Sequence, residues 1–302
     1  MIKVSVVMST YNGGKTLERQ LDSIYAQEGV DVQVYVRDDG SIDDTHDVLE
    51  RYQKEKQPDR LTFSFEENCG WQCSFLKALS KAPDADYYAF SDQDDIWLVS
   101  KLKAGAEILE SSDNTKPLLY HCNKFSVNEN LKPLSHQVRR TPRPLNHQNA
   151  MVQEYAQGCS IIINNKARDL VTSYLPKKKI AHDFWCGLLC YLFGEIIYDD
   201  NKYFFHISYG NNASGEGHMM NSWFGRLKKL VFEKEAYYSP WQDLLEGYSN
   251  ILSVEDKKFC QRWMNYKHSM KDKLYLLFSP KFIRDSVFGT ISLKTAVLLN
   301  KL

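Results

Sequence analysis

Three carboxylates within four residues follow an apolar run in the first third of the chain. Residues 87–90 are apolar, and residues 91–95 then read Ser-Asp-Gln-Asp-Asp. Like charges this close raise one another's pKa, which favours a bound divalent cation, most simply Mg²⁺ or Mn²⁺ on oxygen ligands. An ion held in this way commonly carries phosphate oxygens, so the cluster predicts a nucleotide-dependent enzyme. A solvated acidic turn is the alternative.

Two more polar clusters follow predicted strands. Residues 9–12 read Ser-Thr-Tyr-Asn, and residues 38–41 read Asp-Asp-Gly-Ser. Tyr11 could stack on a base, and an Asp could accept a hydrogen bond from a base N–H or from ribose hydroxyls. Neither a Gly-x-Gly-x-x-Gly nor a Walker sequence is present, so the diphosphate needs another partner, which Asp92 and Asp94 with a metal ion would supply. For Asp39-Gly40, an ordinary β-turn is the alternative.

Hydrophobic periodicity places these clusters at strand ends. Strand patterns cover residues 2–8, 32–36, 61–65 and 87–90, and helical patterns lie between them. In the first helix the apolar residues fall at i, i+4, i+7 and i+8, namely Leu17, Leu21, Ile24 and Tyr25. This alternation predicts an α/β fold with a doubly wound, mainly parallel, Rossmann-like sheet, whose ligands bind beyond the carboxyl ends of the strands.

The second half of the chain has a weaker pattern. We predict helices over 101–109, 166–174 and 184–193, strands over 118–122, 159–163, 195–198 and 203–206, and a loop over 128–150. From about residue 218 the composition changes, and aromatic and aliphatic residues alternate with Lys and Arg on predicted helices. These residues are Trp223, Phe224, Arg226, Leu227, Lys228, Lys229, Leu230, Val231 and Phe232. The predicted domains are 1–217, divided at 100/101 into nucleotide-binding and acceptor-binding halves, and a helical region over 218–302.

Composition excludes several classes of protein. The 302 residues are 43% hydrophobic, enough for a real core, and 38 basic residues balance 38 acidic ones, which gives no argument for nucleic acid as a partner. Seven cysteines at irregular spacings, with no leader pattern, predict a cytoplasmic protein with free thiols. The spacing Cys-x-x-x-Cys at 69/73 and 186/190 could be imagined as zinc pairs, but buried thiols are favoured. No apolar run is long enough to cross a membrane.

Several motifs together resemble family 2 glycosyltransferases of the GT-A fold. They are the strand with its Ser-Thr-Tyr-Asn end (4–12), Asp-Asp-Gly-Ser (38–41), Asn-x-Gly (68–70) and Ser-Asp-Gln-Asp-Asp-x-Trp (91–97). The last form is similar to bacterial rhamnosyltransferase-like members that build capsule, O-antigen or cell-wall polysaccharide. The resemblance covers roughly residues 1–215 and implies an inverting, metal-dependent hexosyltransferase.

On the donor side, the resemblance assigns roles residue by residue. Ser9, Thr10, Tyr11 and Asp39 would contact the nucleotide, Asp39 through a pyrimidine N–H. Asn68 and Gly70 would shape the donor pocket, although Asn68 could equally stabilise a turn. Asp94 would be the main ligand of Mn²⁺ or Mg²⁺, and Asp92 would lie near both ribose and metal. Asp95 would brace the loop.

On the acceptor side, the resemblance implies a carboxylate base at the start of a helix. Asp183 matches that position, with His182 as the second choice, while a helix N-cap is the structural alternative for Asp183. Gly158 and Cys159 resemble the start of the acceptor-side strand. Trp185 could form a sugar-stacking wall or belong to the core.

The chain departs from the family pattern after the last predicted strand. Rhamnosyltransferase-like members often have Arg-x-His-x-x-Asn there, whereas residues 207–212 read Ile-Ser-Tyr-Gly-Asn-Asn. His206 lies three residues upstream of the position at which the family's histidine is missing. It could take the place of that histidine at the metal or diphosphate. The resemblance favours dTDP-rhamnose or a UDP-hexose as donor and a saccharide or undecaprenyl-linked saccharide as acceptor.

Two other classes of protein remain as alternatives. A nucleotidyltransferase would share the sheet and the metal carboxylates, and a nucleotide-sugar-binding subunit would keep the fold without turnover. The region 218–302 carries an excess of basic residues and could contact the inner face of the cell membrane, or pack as a homodimer interface.

Overall fold

The computed structural model describes residues 1–134, 143–209, 237 and 239–302. Within these residues one sheet contains eight strands: β1 (Ile2–Thr10), β2 (Val30–Asp38), β3 (Leu61–Phe65), β4 (Tyr87–Ser91), β5 (Ile96–Trp97), β6 (Leu118–Asn128), β7 (Ile161–Asn164) and β8 (Glu195–Ser208). Their order across the sheet is β3-β2-β1-β4-β7-β6-β8-β5. The described helices are α1 (Gly14–Tyr25), α2 (Thr45–Lys56), α3 (Trp71–Lys81), α4 (Lys101–Glu110), α5 (His147–Ala150), α6 (Asn165–Thr172), α7 (His182–Phe193), α8 (Trp241–Tyr248), α9 (Val254–Asn265), α10 (Met270–Phe278) and α11 (Val287–Leu298).

The four strands from β3 to β4 are parallel, and their order creates a crevice. The chain leaves β1 for β2 on one side, and returns after β3 to place β4 on the other side of β1. Thr10 lies beside Asp38 in the register of β1 and β2, and Met8 lies beside Ser91 in that of β1 and β4. The ends of these three strands therefore meet at a topological switch point, where open α/β sheets bind ligands. The predicted doubly wound, mainly parallel sheet is confirmed.

The predicted helix stripe on α1 is part of the core. Leu17, Leu21 and Ile24 are fully buried and pack with strand residues such as Val6 and Val34. Burial of this apolar stripe is what holds α1 on the sheet, since a lone helix of twelve residues is marginal in water.

The second half of the sheet differs from its prediction in four places. The strand predicted over 118–122 extends to Asn128 as β6. Residues 195–208 form one long strand rather than two short ones, because β6 pairs with β8 from Leu118 to Asn128, across shifts of register near residues 122–125. The two-residue β5 was not predicted, since a pair of residues carries no periodicity. The predicted strand at 159–163 begins later, at Ile161, after a 3₁₀ turn over Gly158–Ser160.

The contacts divide the chain into two units. The sheet unit comprises residues 1–137, 156–175 and 181–213, and the helical unit comprises 138–155, 176–180 and 214–302. The boundary predicted at 217/218, and the aromatic and basic residues at 223–232, lie outside the described residues, as does the middle of the predicted loop (135–142). The division of the chain into the predicted domains stays a prediction.

The helical unit has an aromatic core of its own. Phe259, Trp263 and Phe282 form a cluster with ring centroids 5.3–5.9 Å apart, and the Tyr266 hydroxyl accepts a hydrogen bond from the Leu302 backbone N–H at 3.0 Å. None of the described helices is long and apolar enough to cross a lipid bilayer. All seven cysteines are free, and the predicted burial holds for Cys186 and Cys190, whereas Cys69 and Cys73 are partly exposed.

Candidate active site

Asp38 organises the turn at the end of β2. Its side chain is fully buried and accepts hydrogen bonds from the Thr10 hydroxyl at 2.8 Å, the Ser41 backbone N–H at 2.8 Å and the ring of His46 at 2.8 Å. Burial alone would raise the pKa of Asp38, but these hydrogen bonds outweigh it and the pKa is lowered. Asp38 is therefore a structural carboxylate, and the Thr10 hydroxyl, predicted to contact nucleotide, is engaged in this turn.

Asp39 joins the end of β2 to the loop before α3. Its Oδ1 accepts from the buried Arg37 guanidinium at 2.5 Å and from the Cys69 N–H at 2.9 Å, and its Oδ2 accepts from the Gly70 N–H at 2.9 Å. Gly70 has φ +87°, which favours glycine there. Since a carboxylate oxygen has two lone pairs, Oδ2 can still accept a base N–H, as predicted for this residue. Asn68 is exposed beside this pocket.

Arg37 is a residue of the candidate site to which the sequence analysis gave no role. It is 1% exposed and binds Asp39. It also donates to Ser74 Oγ at 2.9 Å and to the Glu67 carbonyl at 3.0 Å. Its position directly before two aspartates was the signal that could have identified it.

Gln93 connects the first polar cluster to the carboxylate cluster. The Tyr11 N–H donates to Gln93 Oε1 at 2.9 Å, and Gln93 Nε2 donates to the Tyr11 carbonyl at 3.1 Å. The Tyr11 ring is half exposed, as a stacking role requires, while the Ser9 hydroxyl donates to Ser74 Oγ at 2.6 Å. The structure thus brings together the strand ends that the sequence predicted to share a site.

The carboxylates after β4 repel one another. Burial, then the charges of Asp95 and Asp94, raise the pKa of Asp92 to about 7, and burial together with the charge of Asp95 raises the pKa of Asp94 to about 6. Such shifts mean that the negative charge lacks compensation from the protein itself. A divalent cation would supply that compensation, so the residues present fit one.

Four donor atoms from three parts of the chain converge next to these carboxylates. Asp92, Asp95, Cys159 and His206 each offer one ligand atom, and these atoms lie within 4.8 Å of one another. Asp94, the main ligand predicted from the resemblance, is outside this group, so the pair of Asp92 and Asp94 stays a prediction. Cys159 and Asp95 were predicted for other roles, and only the fold brings them together.

His206 enters this group from β8. Its Nδ1 lies 2.9 Å from Asp95 Oδ1. Burial alone would lower the pKa of His206, but the hydrogen bond to Asp95 and its charge outweigh burial and the pKa is raised. The second oxygen of Asp95 is buried and has no hydrogen-bond partner among the described residues. The replacement role predicted for His206 is therefore compatible with its position.

An arginine reaches the carboxylate cluster from α1. Arg19 Nη2 donates to the Asp94 carbonyl at 3.2 Å and to the Tyr209 hydroxyl at 2.7 Å. Tyr209 belongs to the stretch where rhamnosyltransferase-like members have Arg-x-His, and residues 210–212 of that stretch lie outside the described residues. Arg19 thus places a guanidinium next to the backbone of the carboxylate cluster.

Asp183 lies in the first turn of α7, next to the 3₁₀ turn. Its Oδ2 accepts from the Gly158 N–H at 3.2 Å, and its Oδ1 from the Phe184 N–H at 2.8 Å. The N-cap position of α7 is Ala181, but Asp183 accepts a first-turn N–H of the helix, so both the structural role and the predicted role as base remain for Asp183. Because Gly158 precedes Cys159, this bond places the Asp183 carboxylate next to the turn that contributes to the four-donor group.

His182 and Trp185 belong to the protein interior. The His182 ring stacks on Phe75 at 4.0 Å between centroids, and a Cβ on Gly158 would lie 2.3 Å from its Nε2. Trp185 is fully buried on α7, which favours its core alternative over a sugar-stacking wall. Gly158 is needed here for close approach, and Asp183 remains the better candidate base.

Comparison with known proteins identifies the family. The model of the family described as "Glycosyl transferase family 2" matches residues 5–169. This chain belongs to glycosyl transferase family 2. The predicted resemblance, and with it the assignment to the glycosyltransferase class, is confirmed, and the matched range contains both the Asp39 pocket and the carboxylate cluster.

Curated relatives match the first part of the chain. An uncharacterised glycosyltransferase of Nostoc sp. is 35% identical over 112 residues, covering 37% of this chain and 34% of the relative. The dTDP-rhamnosyl transferase RfbG of Shigella flexneri is 35% identical over 106 residues, covering 34% and 36%. The aligned part is thus about a third of the length of these two relatives.

Solved structures share the fold of this chain. Residues 1–349 of S. aureus TarS in complex with UDP-GlcNAc align with a TM-score of 0.56 at 16% identity, over 98% of this chain and 90% of that one. The mannosyltransferase PcManGT of Pyrobaculum calidifontis, in complex with GDP-Man and Mn²⁺, aligns with a TM-score of 0.52 at 14% identity, over 98% and 84%. At these identities the likeness shows the fold.

Proposed function

We propose that the protein is an inverting glycosyltransferase that moves a sugar from a nucleotide-diphosphate donor to a saccharide or lipid-linked saccharide. One observation carries this proposal: three parts of the site are linked by contacts. The Asp39 N–H binds the Thr10 carbonyl next to Tyr11. Gln93 links Tyr11 to the carboxylates after β4, and the 158–160 turn links that cluster to Asp183. A donor on one side and a base on the other is the arrangement that inverting transfer needs.

The donor would lie along the ends of β1, β2 and β4. Asp39 Oδ2 would accept the base N–H, Tyr11 would cover the base, and Asp92 would face the ribose. Asp94, with Asp92, would hold Mn²⁺ or Mg²⁺, which neutralises the departing diphosphate when bound. The Mn²⁺ present with PcManGT supports a metal in this fold.

Asp183 would act on the acceptor. Its carboxylate would take the proton from the acceptor hydroxyl as that oxygen attacks the anomeric carbon, opposite the departing diphosphate. The Gly158 N–H, which donates to its Oδ2, fixes the orientation of this carboxylate. A fixed base limits the rotation that would otherwise slow proton transfer.

The donor is proposed to be a pyrimidine nucleotide sugar. RfbG is named a dTDP-rhamnosyl transferase, and TarS was solved with UDP-GlcNAc, so dTDP-rhamnose is placed first and a UDP-hexose second. Asp39 supports this choice, because the ring N–H of uracil or thymine is a donor for its free lone pair.

The helical unit is proposed to touch a membrane that carries the lipid-linked acceptor. The neighbouring helices α10 and α11 are joined by hydrogen bonds from Lys273 Nζ to the Leu298 carbonyl and from Lys294 Nζ to the Leu276 carbonyl. Both helices carry exposed apolar side chains. These residues are Met270, Leu274, Phe278, Val287, Phe288, Ile291, Leu298 and, directly after α11, Leu299. Over 221–302 there are fourteen Lys and Arg residues against eight Asp and Glu, a balance that suits anionic lipid.

Donor turnover tests the proposal. Release of UDP or dTDP from nucleotide sugars should require Mn²⁺ or Mg²⁺ and vanish in Asp94→Ala, while Glu107→Ala, an exposed acid on α4, retains it. Asp183→Asn should lower kcat by about 100-fold or more but keep nucleotide binding, since the lost group is a general base.

Turnover without a divalent ion would overturn the metal assignment. Release of inorganic pyrophosphate from a nucleoside triphosphate would favour a nucleotidyltransferase, and full activity of Asp183→Asn in a complex would favour a binding subunit.

A further inference from the structure

Two of the four converging donors are of a kind that Mg²⁺ does not prefer. The group contains one thiol, one imidazole and two carboxylates, from Cys159, His206, Asp92 and Asp95. Thiol and imidazole ligands favour zinc and related transition metals, whereas oxygen-only sites suit Mg²⁺ and Ca²⁺. The composition of the group therefore differs from that of the Asp92 and Asp94 pair.

The geometry is also that of a closed site. In a tetrahedral zinc site the ligand atoms are separated by about 3.3–3.8 Å, so a group already within 4.8 Å needs side-chain shifts of about 1 Å. Cys159, Asp95 and His206 are 1%, 0% and 5% exposed. The backbone that carries them is held by β8, the turn before β7 and the segment leading into β5.

A second observation points to a missing partner. The buried Oδ2 of Asp95 has no nitrogen or oxygen donor among the described residues, although Oδ1 is bound by His206 Nδ1 and the carboxyl interacts with the Cys159 thiol. A buried carboxylate oxygen left in this state is costly, and a cation among the four donors would satisfy it. If Asp95 instead stays on His206, it acts as the carboxylate that orients a metal-binding imidazole.

We infer that Asp92, Asp95, Cys159 and His206 form a binding site for a tetrahedral transition-metal ion, Zn²⁺ in the first place. Asp92 is shared with the proposed donor-metal pair, so an ion in this site would compete with a hard ion for one carboxylate. Zinc binding does not depend on sugar transfer, and the two proposals can fail separately.

Metal binding to the full chain, freed of metal by dialysis against a chelator, tests this inference. Isothermal titration should show one Zn²⁺ per chain, and Co²⁺ should give the thiolate charge-transfer absorption of a tetrahedral cobalt–sulfur site. Cys159→Ser should abolish that absorption and weaken Zn²⁺ binding by about tenfold or more. Cys122→Ser, which removes another buried thiol outside the group, should leave both unchanged, and Asp94→Ala should retain the cobalt–sulfur absorption.

X-ray absorption at the zinc edge of the wild-type protein keeps the test decisive even if a variant does not fold. One sulfur at about 2.3 Å from zinc, with nitrogen and oxygen completing four ligands, is expected. A shell of oxygen alone would overturn the inference. So would cobalt binding that survives Cys159→Ser and disappears in Asp94→Ala, because the ion would then lie at the donor-metal pair.

Discussion

The adjacent aspartates at the end of β2 bind different partners, so we expect Asp38 to serve stability and Asp39 to serve nucleotide binding. Asp38 has its acceptors engaged by Thr10, Ser41 and His46 within the turn. Oδ2 of Asp39 accepts one hydrogen bond, from the Gly70 N–H, and so has capacity for a second donor. Substitution of these two neighbouring residues is therefore expected to have different effects.

Exchange of each aspartate for asparagine should separate the two roles. Asp38→Asn should lower the free energy of unfolding by about 2 kcal/mol, since a buried carboxylate that accepts several hydrogen bonds is replaced by an amide with fewer acceptors. Asp39→Asn should mainly weaken nucleotide binding. Denaturant unfolding and titration with UDP measure both, and a larger loss of UDP affinity in Asp38→Asn than in Asp39→Asn would contradict the assignment.

The carboxylates after β4 predict an unusual dependence of stability on pH. The pKa of Asp92 is raised from 3.8 to about 7, and that of Asp94 from 3.8 to about 6, so the folded protein binds more protons than the unfolded chain between these values. Their contribution to stability is therefore present at low pH and is lost as pH rises from about 4 to about 7.

Thermal unfolding across this pH range, with a chelator present, measures the contribution. The melting temperature of Asp92→Asn should depend less on pH than that of the wild type, because the substituted amide does not titrate. Addition of Mn²⁺ should raise the melting temperature more at the upper end of the range than at the lower end. Identical pH profiles for both proteins would contradict the raised pKa.

At the scale of elements, the 158–160 turn sets the position of the start of α7. The Gly158 N–H holds Asp183, its Cα faces the His182 ring, and the next residue belongs to the four-donor group. Three features of the site thus depend on a turn of three residues between a loop and β7. Asp183, on α7, is connected to the rest of the site through its hydrogen bond with the Gly158 N–H.

Gly158→Ala should affect catalysis more than donor binding. An added Cβ would lie 2.3 Å from His182 Nε2, and the ring is confined by Phe75 and Phe90, so the start of α7 must shift. We expect kcat to fall by about tenfold or more while affinity for UDP changes little, since Asp39 lies on another element. Steady-state kinetics and UDP titration measure this, and a loss confined to UDP affinity would show that the turn serves the donor instead.

At the scale of the whole molecule, the helical unit leaves large apolar side chains in solvent. Phe278, Phe288 and Met270 are 79%, 68% and 70% exposed on α10 and α11. Single exposed apolar residues are ordinary, but seven on two joined helices, with Leu299 directly after the second, exceed that. Lysines on the same helices, such as Lys271 and Lys273, would meet anionic headgroups.

Vesicle co-sedimentation tests this membrane contact. The wild-type protein should bind vesicles of phosphatidylglycerol better than those of phosphatidylcholine, and less as salt concentration rises. The double substitution Phe278→Asp and Phe288→Asp should weaken binding by about tenfold or more, because each buried phenylalanine contributes about 1.5–3 kcal/mol. Ile251→Asp, at an exposed apolar residue outside both helices, is the control. A dimer by light scattering that the double substitution dissociates, with no vesicle binding, would assign the surface to a homodimer.

The sequence by itself determined the parallel half of the sheet and the place of the site. Strands such as residues 61–65 and the stripe at Leu17, Leu21 and Ile24 carry periodicity within a few residues, and polar clusters at strand ends mark the edge where ligands bind. Motif order also identified the family, which the family match confirms.

Only the tertiary structure decided which donors meet. Asp95, Cys159 and His206 are far apart in the chain and carry no shared pattern, so neither periodicity nor spacing could group them. Arg37, Trp185 and the single strand β8 were likewise settled by burial and pairing with distant residues. The physical reason is that local patterns report backbone geometry over a few residues, whereas a site is made by side chains that long-range packing brings together.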